Sequence, residues 1–262
     1  MIDIIDLQNE IDTKKISALI KNSWEKKKVI HLTGIPKKIF GNPDDLRLFY
    51  DELISHLGEP VNLGEDISLG DRSSQRSGQR WMEIRYDPKV KDAYRYSSNA
   101  QPLHTDGSYI SSFPNASFIY CQASASNGGE TVFIDLKDII DILIYEKPDL
   151  YKVITSQIIA HERSGDKRIA KIISNDGALA KIHWNYYCVS KNISDELKDV
   201  CEELFNFLNS SVKIKDKLIP VALKPGEGVF WKDDETLHGR NSYKAEMTSE
   251  RFLWKTALEI IN

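Results

Sequence analysis

From residue 117 onward the chain reads as a succession of short strand-like segments parted by turn chemistry, and that succession narrows the fold more than any other feature. SFIYCQAS (117–124), TVFID (131–135), SQIIAHE (156–162), RIAKIIS (168–174), LAKIHWNYY (179–187), KLIPVAL (217–223), GVFWK (228–232) and RFLWKTALEI (251–260) are the segments. They are rich in β-branched and aromatic residues, and NGG, SGDK, SNDG and KPGEG place turns among them. Two helical stretches interrupt the series. One covers about 136–153, where Pro148 should break it in two. The other covers about 194–209, where Ser194 can cap the N-terminus and Glu196 adds a favourable charge in the first turn.

Upstream the pattern is helical. Residues 13–27 set Ile16, Leu19, Ile20 and Trp24 at helical spacing, and 43–57 begin with Pro and two Asp as a helix start does. VIHLTG (29–34) and RWMEIRYD (80–87) read as strands. Many short strands behind a helical layer predict a mainly β fold with flanking helices (α+β), a β-sandwich or jelly roll wrapped by helices. A doubly wound α/β sheet fits poorly, because strands and helices do not alternate regularly. With 262 residues, one domain over 1–262 is expected, large enough to bury a core without disulfides.

Charge and composition exclude some partners. A formal net charge of −4 argues against a nucleic-acid partner, which usually needs a broad basic field. No apolar run approaches the roughly 18 residues of a membrane span. The acidic, polar N-terminus is not a signal peptide, and three cysteines at wide spacings read as reduced thiols. The expectation is a cytoplasmic protein with a small-molecule substrate; no feature specifies an oligomeric state. Residues 62–80, polar and rich in Gly and Ser, read as a mobile loop able to act as a lid.

The chemistry concentrates in four places. In QPLHTDGSY (101–109), His104 and Asp106 stand two apart, so on a strand they project from one face. In GVFWKDDETLHGRNSY (228–243) a buried strand and a polar bend deliver His238. Two His and one carboxylate are the ligand set that leaves three positions open on iron(II). Zinc hydrolases use similar ligands, so the set alone does not choose the metal. Arg251 opens an apolar, strand-like segment that could run beside the one carrying His238; a guanidinium there needs an anion, either a structural acid or a ligand carboxylate. In NGGETVFID (127–135) the Gly pair fits a turn, and Thr131 then offers a hydroxyl to a ligand carboxylate.

In this order the four pieces resemble the taurine dioxygenase-like (TauD/TfdA, clavaminate-synthase-like) family of iron(II)/2-oxoglutarate oxygenases. The likeness covers about 99–255, with a weaker trace at VIHLTG. The resemblance implies a double-stranded β-helix (jelly roll, cupin-like) core. It implies His104, Asp106 and His238 as iron ligands, and 2-oxoglutarate gripped at its distal carboxylate by Arg251 and Thr131. It also implies consumption of O2 with release of succinate and CO2. Asp106, at the position where halogenating relatives carry Gly or Ala, points to hydroxylation, with desaturation, ring closure and epoxidation as alternatives of the same chemistry. Arg240 is a second guanidinium that could serve 2-oxoglutarate or a substrate acid. Where family members often carry Asn before the distal His, this chain reads Asp233–Asp234–Glu235, a charge either solvated or facing a cationic substrate. Glu83 and Arg85 share one strand face with Trp81 and could hold both ends of an amino acid, or could be a surface ion pair; Tyr109 could line the pocket. The competing reading is a cupin-like binding module or isomerase with a non-redox metal.

Overall fold

The computed structural model describes residues 1–61, 80–89, 94–111, 114–175, 179–247 and 250–260. The expected lid therefore falls, apart from Arg80, outside the described residues. The N-terminal part runs β1 (Ile2–Asp6), α1 (Thr13–Trp24), β2 (Val29–Thr33), α2 (Lys37–Phe40), α3 (Pro43–Ser55), β3 (Gly58–Val61) and β4 (Met82–Arg85). Next come β5 (Gln101–His104), β6 (Ala116–Ala123), β7 (Thr131–Asp135), α4 (Leu136–Glu146) and α5 (Pro148–Ser156). Four short strands follow: β8 (Ile159–Arg163), β9 (Asp166–Ala170), β10 (Ile173–Ser174) and β11 (Lys181–Ile182). The chain closes with α6 (Asp195–Ser210), α7 (Val212–Lys217), β12 (Ile219–Val221), β13 (Gly228–Lys232), β14 (Thr236–Arg240) and β15 (Phe252–Ile260).

Two sheets face each other. The larger has the order β1-β2-β13-β6-β15-β3, with β4 also on β15; the smaller has the order β12-β7-β14-β5. Apart from the parallel β1–β2 pair, the pairing in both is antiparallel. This is a jelly-roll arrangement with helices on both outer faces.

Strand alternation sorts the side chains into three layers. Phe118, Tyr120, Phe230 and Leu258 leave the outer face of the large sheet and pack with Ile16 and Ile20 of α1 and Leu46, Tyr50 and Leu53 of α3. Leu103, Val132, Ile134 and Leu237 leave the outer face of the small sheet and meet α4, α5 and α6. Between the sheets lie Ile119, Cys121, Phe133, Val229, Trp231 and Leu253. Every inward position that is not apolar is therefore a candidate for function.

The helices start where local chemistry directs. Asp12 accepts from the backbone N–H groups of Lys14 and Lys15, Asn42 from that of Asp44, and Ser194 from that of Leu197. Pro148 does end one helix and open the next. Other expectations need correcting. LAKIHWNYY is not a strand beyond Lys181–Ile182, because its backbone bonds elsewhere: Ile182 N–H to Asp234 O, His183 N–H to Ile172 O, and Trp184 in exchange with Thr105. RIAKIIS splits into β9 and β10, and Lys217 ends α7 before the short edge strand β12, where Pro220 needs no ladder donor. β1, α2 and α7 had no expectation attached. No helix among the described residues is long and apolar enough to cross a membrane, and the three cysteines are buried and form no disulfide.

Candidate metal centre

Three side chains converge at one end of the sandwich interior. Leu103 and Leu237 point outward, so the alternating positions His104 and His238 point inward from adjacent strands, directly opposite each other in register. Their ring centroids are 4.2 Å apart. Asp106 sits in the turn immediately after β5. One ligand atom from each of the three lies within 4.8 Å of the others, a group able to hold a metal ion.

Hydrogen bonding selects the His104 tautomer. His104 Nδ1 lies 2.9 Å from Pro102 O, a pure acceptor, so it carries the proton. Its Nε2 lone pair, 3.0 Å from the Gln101 amide nitrogen, faces Asp106 Oδ1 at 3.8 Å. His238 Nε2 faces Asp106 Oδ2 at 3.6 Å, is buried, and has no hydrogen-bond partner. Burial holds both imidazoles neutral, with pKa values pushed down to about 3; at His104 the neighbouring His238 adds to the effect. Burial alone would raise the Asp106 pKa, but the Lys255 ammonium overrides it and holds the carboxyl below its usual range. Two neutral imidazoles and an ionised carboxylate are the protonation states a divalent metal requires.

The same interior holds an anion-seeking pair. Arg251 and Arg240 are almost wholly buried, and among the described residues neither forms an ion pair. Arg251 Nη2 donates to Gly129 O at 3.1 Å while Nη1 lacks a partner. Arg240 Nη2 donates to Ser97 O and Asn99 O, at 2.8 and 2.6 Å, while Nε and Nη1 lack partners. Both guanidiniums lie over the ring of Tyr243, at 5.3 and 5.0 Å. Burial first, and then Arg251, lower the Arg240 pKa to about 10. Thr131 opens β7 with its side chain buried, directly opposite Arg240 in register. A cleft lined by Gly129, Thr131, Val221, Leu223, Arg251 and Leu253 reaches Arg251; Arg240 and the triad lie outside its lining.

Gly129 explains part of the NGG turn. Its φ is +79°, and a Cβ there would stand 2.9 Å from Arg251 Nε, so the turn is built around the guanidinium. The expectation that the Arg251 segment runs beside the His238 strand is wrong. β15 pairs with β3, β4 and β6 in the large sheet, and Arg251 reaches the site from the opposite wall.

Glu83 and Arg85 do not reach the site. They lie opposite Trp254 and Phe252, on the face where Arg47 of α3 stacks on Trp254, and they pair with each other at 3.1 Å. Alternation turns them away from the sandwich interior. Tyr109 is buried against Ile110 and Cys188 just past Asp106. The acidic bend is neither solvated nor open to a ligand: Asp233 is wholly buried, while Asp234 and Glu235 pair with Lys181 at 2.8 and 3.0 Å.

Three contributors escaped the sequence reading, Lys255, Ser117 and Tyr243, and Asp233 was seen there only as part of the acidic bend. Lys255 had a legible signal, since it shares strand parity with Arg251 inside an otherwise apolar segment.

The model of the "Taurine catabolism dioxygenase TauD, TfdA family" matches residues 3–257, nearly the whole chain. The chain belongs to the TauD/TfdA dioxygenase family. Solved structures share the fold. Asparagine oxygenase, in complex with Fe(II), hydroxyasparagine and succinate, is 12% identical with a TM-score of 0.71, over 94% of this chain and 78% of its own. OrfP, a non-heme iron oxygenase solved with Fe and alpha-ketoglutaric acid, is 11% identical with a TM-score of 0.68, over 94% and 80%. PvcB from Pseudomonas aeruginosa is 14% identical with a TM-score of 0.67, over 98% and 86%. No curated protein sequence matches the chain significantly.

Proposed function

We propose that this TauD/TfdA-family member is an iron(II)- and 2-oxoglutarate-dependent dioxygenase that hydroxylates a C–H of a small molecule, an amino acid or a metabolite derived from one. The observation that carries the reading is one polar interior holding both the triad and two buried guanidiniums without an acid to pair them. His104, His238 and Asp106 would hold the metal through two neutral imidazoles and one carboxylate. Bound there, iron(II) supplies activation of O2 coupled to decarboxylation of 2-oxoglutarate, with one oxygen atom passing to succinate and the other to the substrate.

The chain's own part is binding and orientation. Arg251, with its unpartnered Nη1 beside Gly129, suits the distal carboxylate of 2-oxoglutarate, and Thr131 offers a hydroxyl to the same group. Arg240 already spends one nitrogen on two carbonyls, so it is a secondary cation for the same anion. The dry walls formed by Phe133, Trp231 and Leu253 exclude water from the reacting atoms. The amino-acid class follows from relatives whose complexes contain hydroxyasparagine or hydroxy-arginine, and Tyr109, three residues past Asp106, is our candidate for the substrate pocket wall. Buried cysteines that form no disulfide suit a reducing compartment.

The test is a panel of amino acids and related metabolites incubated with protein, Fe(II) and 2-oxoglutarate. Substrate-dependent succinate and a product heavier by one oxygen are expected. Both disappear in His104→Ala and Asp106→Ala with circular dichroism unchanged. A non-redox metal module would release no succinate, and full activity in either variant would reject the ligand assignment.

A further inference from the structure

The triad is held from behind by a single carboxylate. Asp233 is wholly buried. Its Oδ1 accepts from the Trp231 indole N–H at 2.9 Å and lies 3.2 Å from His238 Nδ1. Its Oδ2 accepts from the Asp106 backbone N–H at 2.8 Å and lies 3.3 Å from Ser117 Oγ. That hydroxyl stands nearer Asp106 Oδ2, at 2.9 Å, so its one proton goes there. Trp231 and Ser117 belong to the large sheet, His238 to the small one, and Asp106 to the turn leaving β5. One side chain therefore touches both walls of the sandwich and two of the three groups that could hold metal.

We propose that Asp233 is a positioning residue that sets how His238 and Asp106 are presented to the metal. The inference rests on the metal-binding reading above. An imidazole that offers Nε2 to a cation must carry its proton on Nδ1, and that proton needs an acceptor. For His104 the acceptor is a neutral backbone carbonyl. For His238 it is the Asp233 carboxylate, which lies in reach though not yet aligned as a hydrogen bond. A carboxylate behind the ring fixes the tautomer and raises the basicity of Nε2. The second oxygen, on the Asp106 N–H, fixes the turn that aims the Asp106 carboxylate.

The experiment uses Co(II) as probe on metal-stripped full-length protein. Affinity is read by chelator competition, ligand geometry by the visible absorption of the bound ion, and folding by thermal melting. Asp233→Ala should weaken Co(II) about 10- to 100-fold and change the spectrum. Asp233→Asn keeps the shape and an acceptor oxygen but not the charge, so it should recover most of the affinity, remaining several-fold below the original. If Asp233→Ala does not fold, the Asn variant carries the test alone. A merely structural residue would lower the melting temperature and leave affinity and spectrum untouched; that result in the folded variants overturns the inference alone. Failure of the unaltered protein to bind Co(II) would instead bring down the metal-binding reading, and this inference with it.

Discussion

Lys255 reaches across the sandwich to Asp106, with Nζ 2.7 Å from Oδ1 and 2.6 Å from Oδ2. Both side chains are about nine-tenths buried, so each neutralises a charge the interior would otherwise tolerate poorly. Lys255 also stands over the Trp231 ring at 5.4 Å. The pair joins the large sheet to the turn bearing Asp106 and keeps that carboxylate ionised.

Replacing this ammonium by a neutral chain of similar length tests the pairing. In metal-free protein, Lys255→Met should cost about 3 kcal/mol by urea denaturation, because it strands a buried carboxylate. Co(II) should restore part of the loss by supplying the missing charge to the folded state. An unchanged urea midpoint would show that the pair contributes nothing.

The turn around Arg251 makes a second prediction. Gly129→Ala introduces a Cβ into left-handed backbone and against Arg251 Nε. It should weaken 2-oxoglutarate binding about tenfold or more, as should Arg251→Lys, which loses the planar fork. Co(II) affinity should stay unchanged in both. Variants that move metal binding and leave 2-oxoglutarate unaffected would reassign the residue.

Arg240 is asked to do two things, and they separate. Its bonds to Ser97 and Asn99 carbonyls tie down the segment before β5, so Arg240→Met should destabilise the fold by about 1–3 kcal/mol. If its free N–H groups also serve an anion, the 2-oxoglutarate requirement rises as well. A stability loss with unchanged cosubstrate affinity would confine Arg240 to the loop.

The buried histidines set the acid response of the metal-free protein. Burial lowers His104, His183 and His238 to about 3 and His161 to about 4, with Arg168 adding to the effect at His161 and His183. Below an unfolded value of about 6.5 the unfolded chain takes up protons that the folded chain refuses. Stability should therefore fall from pH 6.5 toward pH 4, by up to about 1.4 kcal/mol per pH unit for each histidine. Asp106, held below its unfolded value of about 3.9, adds a further loss under more acid conditions. Urea midpoints at pH 7, 6 and 5 measure the slope, and His161→Phe should reduce it by one histidine's share. A flat profile would contradict the buried, neutral assignment.

What the sequence determined by itself is local. Turn residues and β-branched runs marked most of the strands, and Pro43 with the two Asp after it, Ser194 and Pro148 marked helix ends, because each acts within a few residues of itself. His104, Asp106, His238 and Arg251 were visible as polar residues at strand-like spacing or at the edge of apolar runs. The tertiary structure decided which inward side chains meet. TLHGR forms a strand only because β5 and β7 flank it, and LAKIHWNYY loses most of its strand because Thr105, Ile172 and Asp234 take its backbone bonds. Glu83 and Arg85 share a face as expected, but sheet pairing turned that face toward α3. Lys255 on the Asp106 carboxylate and Asp233 on the Asp106 backbone N–H join residues remote in sequence. Such contacts depend on register and sheet packing, which no local period encodes.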